Sequence, residues 1–239
     1  MKTFLGRCIY RSDHATIYDN GLFRWLTLGS SVLQTLMYKR DPSRAGLYYI
    51  KPLIIAAKLI PADCCLLGLG GGGVIHALSP YNHLLMSVEY DEEIITLAQR
   101  YFKIGQQKNL ILLHEDAALF VKATSQQFGH ILVDIFDANH FPTSCYKAEF
   151  FSDCQEHLTP DGILAVNLAN RHEQKPVYDW IKHQFQGNTL TIPVKNCANV
   201  IIFAGRRNAI EQLIEKLTAE RHLYRLSWDS QWGRIADLK

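Results

Sequence analysis

The chain has no apolar stretch long enough to cross a bilayer. Its most apolar run, YYIKPLIIAAKLI at residues 48–60, carries two lysines and a proline and falls well short of the ~20 apolar residues that a spanning helix needs. Residues 1–20 lack the apolar core of a secretory leader. A charge excess is also missing. The formal net charge is +2, with no run of five or more like charges, so neither nucleic acid nor a membrane surface is indicated as a partner. The six cysteines, at 8, 64, 65, 145, 154 and 197, include no CxxC pair, and the ten histidines show no HxxxH or HExxH spacing, so no metal site is expected. Cys64 and Cys65 sit in an apolar run, where thiols act as small hydrophobes, and this cysteine usage reads as a reducing, cytoplasmic compartment. There is no G-x-S-x-G nucleophile elbow, internal repeat or low-complexity tract. What is present is a 239-residue chain, 48% hydrophobic, sufficient for one core of roughly 200 residues and a small appendage.

Residues 1–43 read as a small β-hairpin unit. Asn20-Gly21 lies between alternating segments, the strongest short-range hairpin signal, and Gly29-Ser30-Ser31 supplies a second turn. Residues 44–239 instead alternate helical and strand signals, as an α/β domain with a parallel sheet and crossover helices does. A helix is expected over about 46–59, with Pro52 acceptable only in its first turn. Strands are expected at 64–69, 84–89, 110–114, 130–135 and 162–168, with helices between them. In DEEIITLAQRYF, Asp91 can cap and Ile94, Leu97, Ala98 and Tyr101 share one face. TLTIPV and NVIIFAG read as a closing antiparallel hairpin, followed by the helix AIEQLIEKLTAE.

Between the first of these strands and its helix stands Gly68-Leu69-Gly70-Gly71-Gly72-Gly73, with G-x-G-x-G spacing at 68, 70 and 72. Glycines there let a ligand approach the backbone closely, although such a loop can also serve only to pack a helix on a strand. Glu89 ends the next strand, 19 residues after Gly70, near the ~20-residue offset at which an acid reaches a ribose hydroxyl. Asp116 ends the third strand, placed either to accept from an adenine amine or to cap the helix that opens at Ala117; one oxygen can serve each role. Asp134 and Asp137 follow the fourth strand at its carboxyl end, facing the crevice of the glycine loop, where two carboxylates suit a cationic substrate and can take a proton from an attacking amine. Asp137 can alternatively cap a turn.

These stretches resemble the spermidine synthase family, the polyamine aminopropyltransferases. The likeness runs through Gln34 in SSVLQTLMY, Tyr49, LGLGGGG, VEYDEEIITLAQRYF, EDA, VDIFDA and EFFSDCQEHLTPDGILAVNL. It implies a Rossmann-like class I methyltransferase fold, a mostly parallel seven-stranded sheet with a C-terminal antiparallel hairpin, preceded by the N-terminal unit. Carried over by position, Gln34, Gly68, Gly70, Gly72, Glu89, Asp116 and Ala117 would bind decarboxylated S-adenosylmethionine, or S-adenosylmethionine, as co-substrate. Asp134 would be the general base, with Tyr49 and Asp137 on the amine substrate. The resemblance also implies a homodimer acting on a small amine. The chain departs from the family pattern at four places: Gly71 stands where an Asp is usual, Ile50-Lys51 replaces a polar and an acidic residue, DIFDA replaces DSSDP, and IPVKNCANVIIFA stands where a substrate-binding aromatic segment is expected. Lys51 thereby sets a cation near the crevice. The implied reaction is aminopropyl transfer to a diamine such as putrescine. The alternatives are methyl transfer from S-adenosylmethionine, for which no Asn-Pro-Pro-Tyr acceptor signature is present, and silent binding of an adenosyl ligand. A dehydrogenase is weaker: G-x-G-x-x-G matches only by way of Gly73, and Asp116 and Asp134 have no required role there.

Overall fold

A computed structural model describes residues 5–29, 32–81, 84–135, 141–169 and 174–239. Strands β1 (Arg7–Arg11), β2 (Ala15–Asp19), β3 (Phe23–Leu28) and β4 (Val32–Tyr38) form an antiparallel sheet in sequential order. Its β2–β3 turn is the one signalled by Asn20-Gly21: the Asn20 side-chain oxygen accepts from the Leu22 and Phe23 backbone N–H groups, the local bonding that suits Asn to turns.

The remaining strands are β5 (Cys64–Leu67), β6 (Leu85–Glu89), β7 (Leu110–His114), β8 (Phe128–Val133), β9 (Leu158–Leu168), β10 (Thr189–Pro193), β11 (Val200–Gly205), β12 (Leu223–Asp229) and β13 (Gly233–Leu238). They build one nine-stranded sheet in the order β12-β13-β10-β11-β9-β8-β5-β6-β7. Pairings among β9, β8, β5, β6 and β7 are parallel, whereas β11 runs antiparallel to β9 and to β10. The seven strands from β5 to β11 are the Rossmann-like sheet expected of a class I methyltransferase fold. β12 and β13 extend it by an edge hairpin that the sequence did not announce, because β12 is mostly exposed and carries no strict alternation.

The helices are α1 (Ile50–Leu53), α2 (Ile55–Leu59), α3 (Gly73–Leu78), α4 (Glu92–Tyr101), α5 (Ala117–Ala123), α6 (Ala148–Glu156), α7 (Lys175–Gln184) and α8 (Arg207–Ala219). The single helix expected over 46–59 is instead α1 and α2. A helix begun at 46 would put Pro52 in its second turn, where the ring opposes the preceding carbonyl; starting at Ile50 leaves Pro52 in the first turn.

Two apolar layers cover the sheet. Along β5 the side chains alternate: Cys64 and Leu66 join the layer of α1, α2, α3 and α8, while Cys65 and Leu67 join that of α5, α6 and α7. Both faces are buried, which is why the strand reads as a continuous apolar run. Burial pushes the Cys64 thiol up to about 12, and that of Cys65 higher still, so both stay neutral. A third cluster joins the N-terminal sheet to α4, with Ile17, Leu26 and Met37 against Ile94, Leu97 and Phe102; each such side chain contributes roughly 1.5–3 kcal/mol when fully buried. Tyr10 also donates to Glu93 at 2.8 Å and Arg24 to the Tyr101 carbonyl at 2.6 Å. This docking holds β4 across the glycine loop.

Candidate active site

A cavity of 1040 Å³ opens where β5, β6 and β8 end, closed on one side by β4. Open α/β sheets bind ligands at this edge because the strand ends diverge there. Of the residues singled out by sequence, Gln34, Tyr49, Gly68, Gly70, Glu89, Asp116, Ala117 and Asp134 all line it. Asp137 lies outside the described residues.

The loop after β5 needs its glycines for different reasons. Gly68 has φ +93°, and a Cβ there would stand 2.3 Å from the Asp134 carbonyl oxygen. Its bare backbone therefore lets the ends of β5 and β8 close together. Gly70, at φ +51°, faces the cavity. Gly72, expected beside them, is not part of the cavity wall. It has φ +74°, and a Cβ would lie 2.0 Å from Ile104 Cδ1, so its conformation serves packing beneath α3.

Glu89 and Asp116 are fixed by backbone donors. Glu89 Oε2 accepts from the Leu69 N–H at 2.9 Å and Oε1 from the Asp91 N–H at 3.0 Å. The carboxylate thus ties strand β6 to the glycine loop and keeps one lone pair per oxygen for a ligand. Asp116 Oδ1 caps α5 through Ala118 and Leu119 at 2.8 and 3.1 Å, while Oδ2 accepts from the Ser144 hydroxyl at 3.0 Å. One oxygen caps α5, as the sequence allowed, and the other is engaged by Ser144, itself part of the cavity wall. Beside them His14 pairs with Asp91 at 2.8 Å, and Asp91 Oδ1 caps α4 through Glu93 and Ile94.

Asp134 stands one residue past β8, its N–H donating to the Leu67 carbonyl at 2.8 Å. The Tyr49 hydroxyl donates to its Oδ2 at 3.0 Å and the Asn167 amide to its Oδ1 at 2.8 Å. Burial raises its pKa above the ordinary 3.8, and the two donated hydrogen bonds oppose that rise. Tyr49 is pushed well above 10.0 by burial first and then by the Asp134 charge, so it remains a neutral donor. This is a carboxylate made more basic than usual and aimed by two neutral donors, the equipment of a proton acceptor.

Asn167 and Asn199 escaped the reading from sequence. A lone polar residue inside the apolar run ILAVNLA was the available signal for Asn167; nothing marked Asn199. The expectation that Lys51 brings a cation to the crevice is corrected: Lys51 is exposed on α1 and is not part of the cavity wall. Ile50, its neighbour, lines the wall instead.

Thr35 explains Gly71. The Gly71 N–H donates to Thr35 Oγ1 at 2.8 Å, and a Cβ on Gly71 would lie 2.6 Å from Thr35 Cγ2. The threonine fills the space that a side chain at this loop position would take. Gly71→Asp is therefore expected to cost about 1–3 kcal/mol by overpacking, recovered in part by Thr35→Ala. Thermal unfolding of the two single variants and the double variant checks it, and an undisturbed Gly71→Asp melting temperature contradicts it.

Comparison with known proteins bears on the family and the fold. A family model described as the spermine/spermidine synthase domain matches residues 57–201. The polyamine aminopropyltransferase of Neisseria meningitidis serogroup B (strain MC58) is 26% identical over 209 residues, which cover 84% of this chain and 79% of that protein. The solved spermidine synthase of Thermotoga maritima aligns with a TM-score of 0.68 at 20% identity, over 86% of this chain and 75% of that one. Human methyltransferase-like protein 13, solved in complex with SAH, aligns with a TM-score of 0.60 at 17% identity, over 77% of this chain and 96% of that one. The two structural likenesses bear on fold alone.

Proposed function

The chain belongs to the spermine/spermidine synthase family, and from that premise we propose that it moves an aminopropyl group from decarboxylated S-adenosylmethionine to a diamine such as putrescine. The observation that carries this reading is Asp134, held between Tyr49 and Asn167 in the cavity that Glu89 and Asp116 share.

An amine with a free pKa near 10 arrives mostly protonated and must lose a proton to become a nucleophile. Asp134 would take that proton. The nitrogen lone pair then forms a bond to the propyl carbon bound to sulfur as the C–S bond breaks. The bonding electrons stay on sulfur, which leaves as neutral methylthioadenosine. Glu89 would accept from the ribose hydroxyls through the lone pairs that its backbone donors leave open, and Asp116 Oδ2 from the adenine amine. Gln34, Gly68, Gly70 and Ala117 would complete the nucleoside site. Tyr49 would bound the amine side, where Asp137 is proposed to hold the distal ammonium. Positioning of nitrogen, carbon and sulfur in line supplies much of the acceleration in such a displacement. No metal is assigned a part in this step. The reading extends to a cytoplasmic homodimer, supported by cysteine usage and by family likeness respectively.

The test is methylthioadenosine release by the purified protein, given decarboxylated S-adenosylmethionine with and without putrescine or cadaverine. Release should depend on the diamine. Because Asp134 must be ionised to act, kcat/KM should rise with pH through a midpoint above the ordinary Asp value of 3.8. Failure of both diamines to elicit release sinks the assignment; S-adenosylhomocysteine formed from S-adenosylmethionine would favour methyl transfer instead.

A further inference from the structure

One of the two hydrogen bonds on Asp134 depends on a third side chain. Asn167 lies on β9, only 2% exposed, and donates to Asp134 Oδ1 at 2.8 Å. Its own Oδ1 accepts from Asn199 Nδ2, also at 2.8 Å. A carboxylate only accepts hydrogen bonds, so Asn167 must turn its nitrogen to Asp134 and its carbonyl away. A buried carbonyl in turn needs a donor, and Asn199 provides it from the segment just before β11.

We propose that Asn199 is a positioning residue of the reaction, locking the Asn167 amide in the one orientation that keeps Asp134 an ionised, correctly aimed proton acceptor. This rests on the reading of Asp134 as the base. The reversed amide would set a carbonyl oxygen against the carboxylate, an arrangement of two acceptors that favours the protonated acid, which cannot take a proton.

The surroundings of Asp134 make the amide decisive. Among the described residues, no lysine or arginine lines the cavity. Tyr49 faces Asp134 from the start of α1, Cys197 lies near Tyr49, and Gly68 and Ile135 present backbone and apolar surface. His14, Glu89, Asp91 and Asp116 are the other titratable groups of the same cavity wall besides Cys145 and Tyr48 and Tyr90. With no lysine or arginine among the described residues of the wall, the ionised form leans on two neutral donors, and of these the amide has an orientation that another residue chooses.

Three variants separate positioning from mere packing. Asn199→Leu keeps the branched shape and loses the donor. Asn199→Asp offers Asn167 a competing acceptor. Asn199→Gln keeps a donor. The carboxyl ¹³C signal of Asp134, identified by its loss in Asp134→Asn, is titrated in the ligand-free full chain. Its midpoint should rise by about half a pH unit to one unit in the Leu variant and further in the Asp variant, and stay near wild type in the Gln variant. The acid limb of kcat/KM should move by the same amount, and turnover of the Asp variant should fall on the order of tenfold, with methylthioadenosine affinity unchanged. A purely structural Asn199 would lower the melting temperature without moving the titration. The proposal is overturned if the midpoint stays at the wild-type value in the Leu and Asp variants, or if the Gln variant is displaced as far as the Leu variant. If the midpoint moves as expected but the wild-type protein releases no methylthioadenosine with any diamine, the positioning stands and the reading of the reaction falls.

Discussion

Asp134→Asn is expected to lower turnover by about 10²–10⁴-fold while methylthioadenosine affinity stays nearly unchanged. Asparagine preserves the shape and removes the basicity. The hydrogen bonds can be rebuilt around it: the new amide oxygen accepts from Asn167, and the new amide nitrogen donates to the Tyr49 hydroxyl, which can turn from donor to acceptor. Removing a buried charge also relieves its desolvation cost, so the variant should melt no lower than the wild type. A split between intact folding and binding and lost turnover identifies a chemical role. A variant that turns over at the wild-type rate would show that the proton leaves by another route. A variant that melts much earlier would show that the carboxylate serves the fold.

Gly68→Ala should damage fold and site together, lowering stability by about 2–5 kcal/mol. The added methyl would have to adopt φ +93°, which L side chains rarely do, and would lie 2.3 Å from the Asp134 carbonyl oxygen. Relief by moving the neighbour is costly, because that neighbour is backbone: the Asp134 N–H is bonded to the Leu67 carbonyl, and the Gly68 N–H to the Val88 carbonyl. If β8 gives way, Asp134 moves off Tyr49 and Asn167, and turnover falls in the molecules that remain folded. Gly21→Ala is the matched control. A Cβ there meets nothing within 4 Å and the backbone does not occupy the positive-φ region, so its stability should stay within about 0.5 kcal/mol of wild type. Denaturant or thermal unfolding of the pair checks both. Equal stability of the two variants would mean that the loop and β8 separate easily.

The elements that were legible in the sequence are those whose signal is local. Asp91 and Asp116 cap their helices as read, each by accepting from the N–H groups two and three residues on. The turn at Asn20, the glycine loop between β5 and α3, and the acid at the end of β6 are likewise short-range facts. Each rests on backbone geometry within a few residues. Together with the alternation of strand and helix, they suffice for the parallel sheet and for which edge of it opens into the cavity.

What the sequence could not determine were the pairings across the sheet. Tyr49 and Asp134 are 85 residues apart, Thr35 and Gly71 36, Asn167 and Asp134 33. Such pairs meet only because the parallel strands, and the N-terminal sheet docked on α4, bring distant segments to one edge, and no periodicity records which side chain will fill or face which space. The same holds for β12 and β13: half-exposed strands at a sheet edge need little apolar patterning, so their place is decided by the edge they find. Composition and local pattern determined an α/β domain with a parallel sheet and an acid-rimmed crevice, and the family resemblance implied its Rossmann-like form. Tertiary structure alone decided that Asp134 is held by two neutral donors, that Asn199 orients one of them, and that Thr35 closes the loop over Gly71, because side chains distant in sequence acquire a mutual geometry only when the sheet has formed.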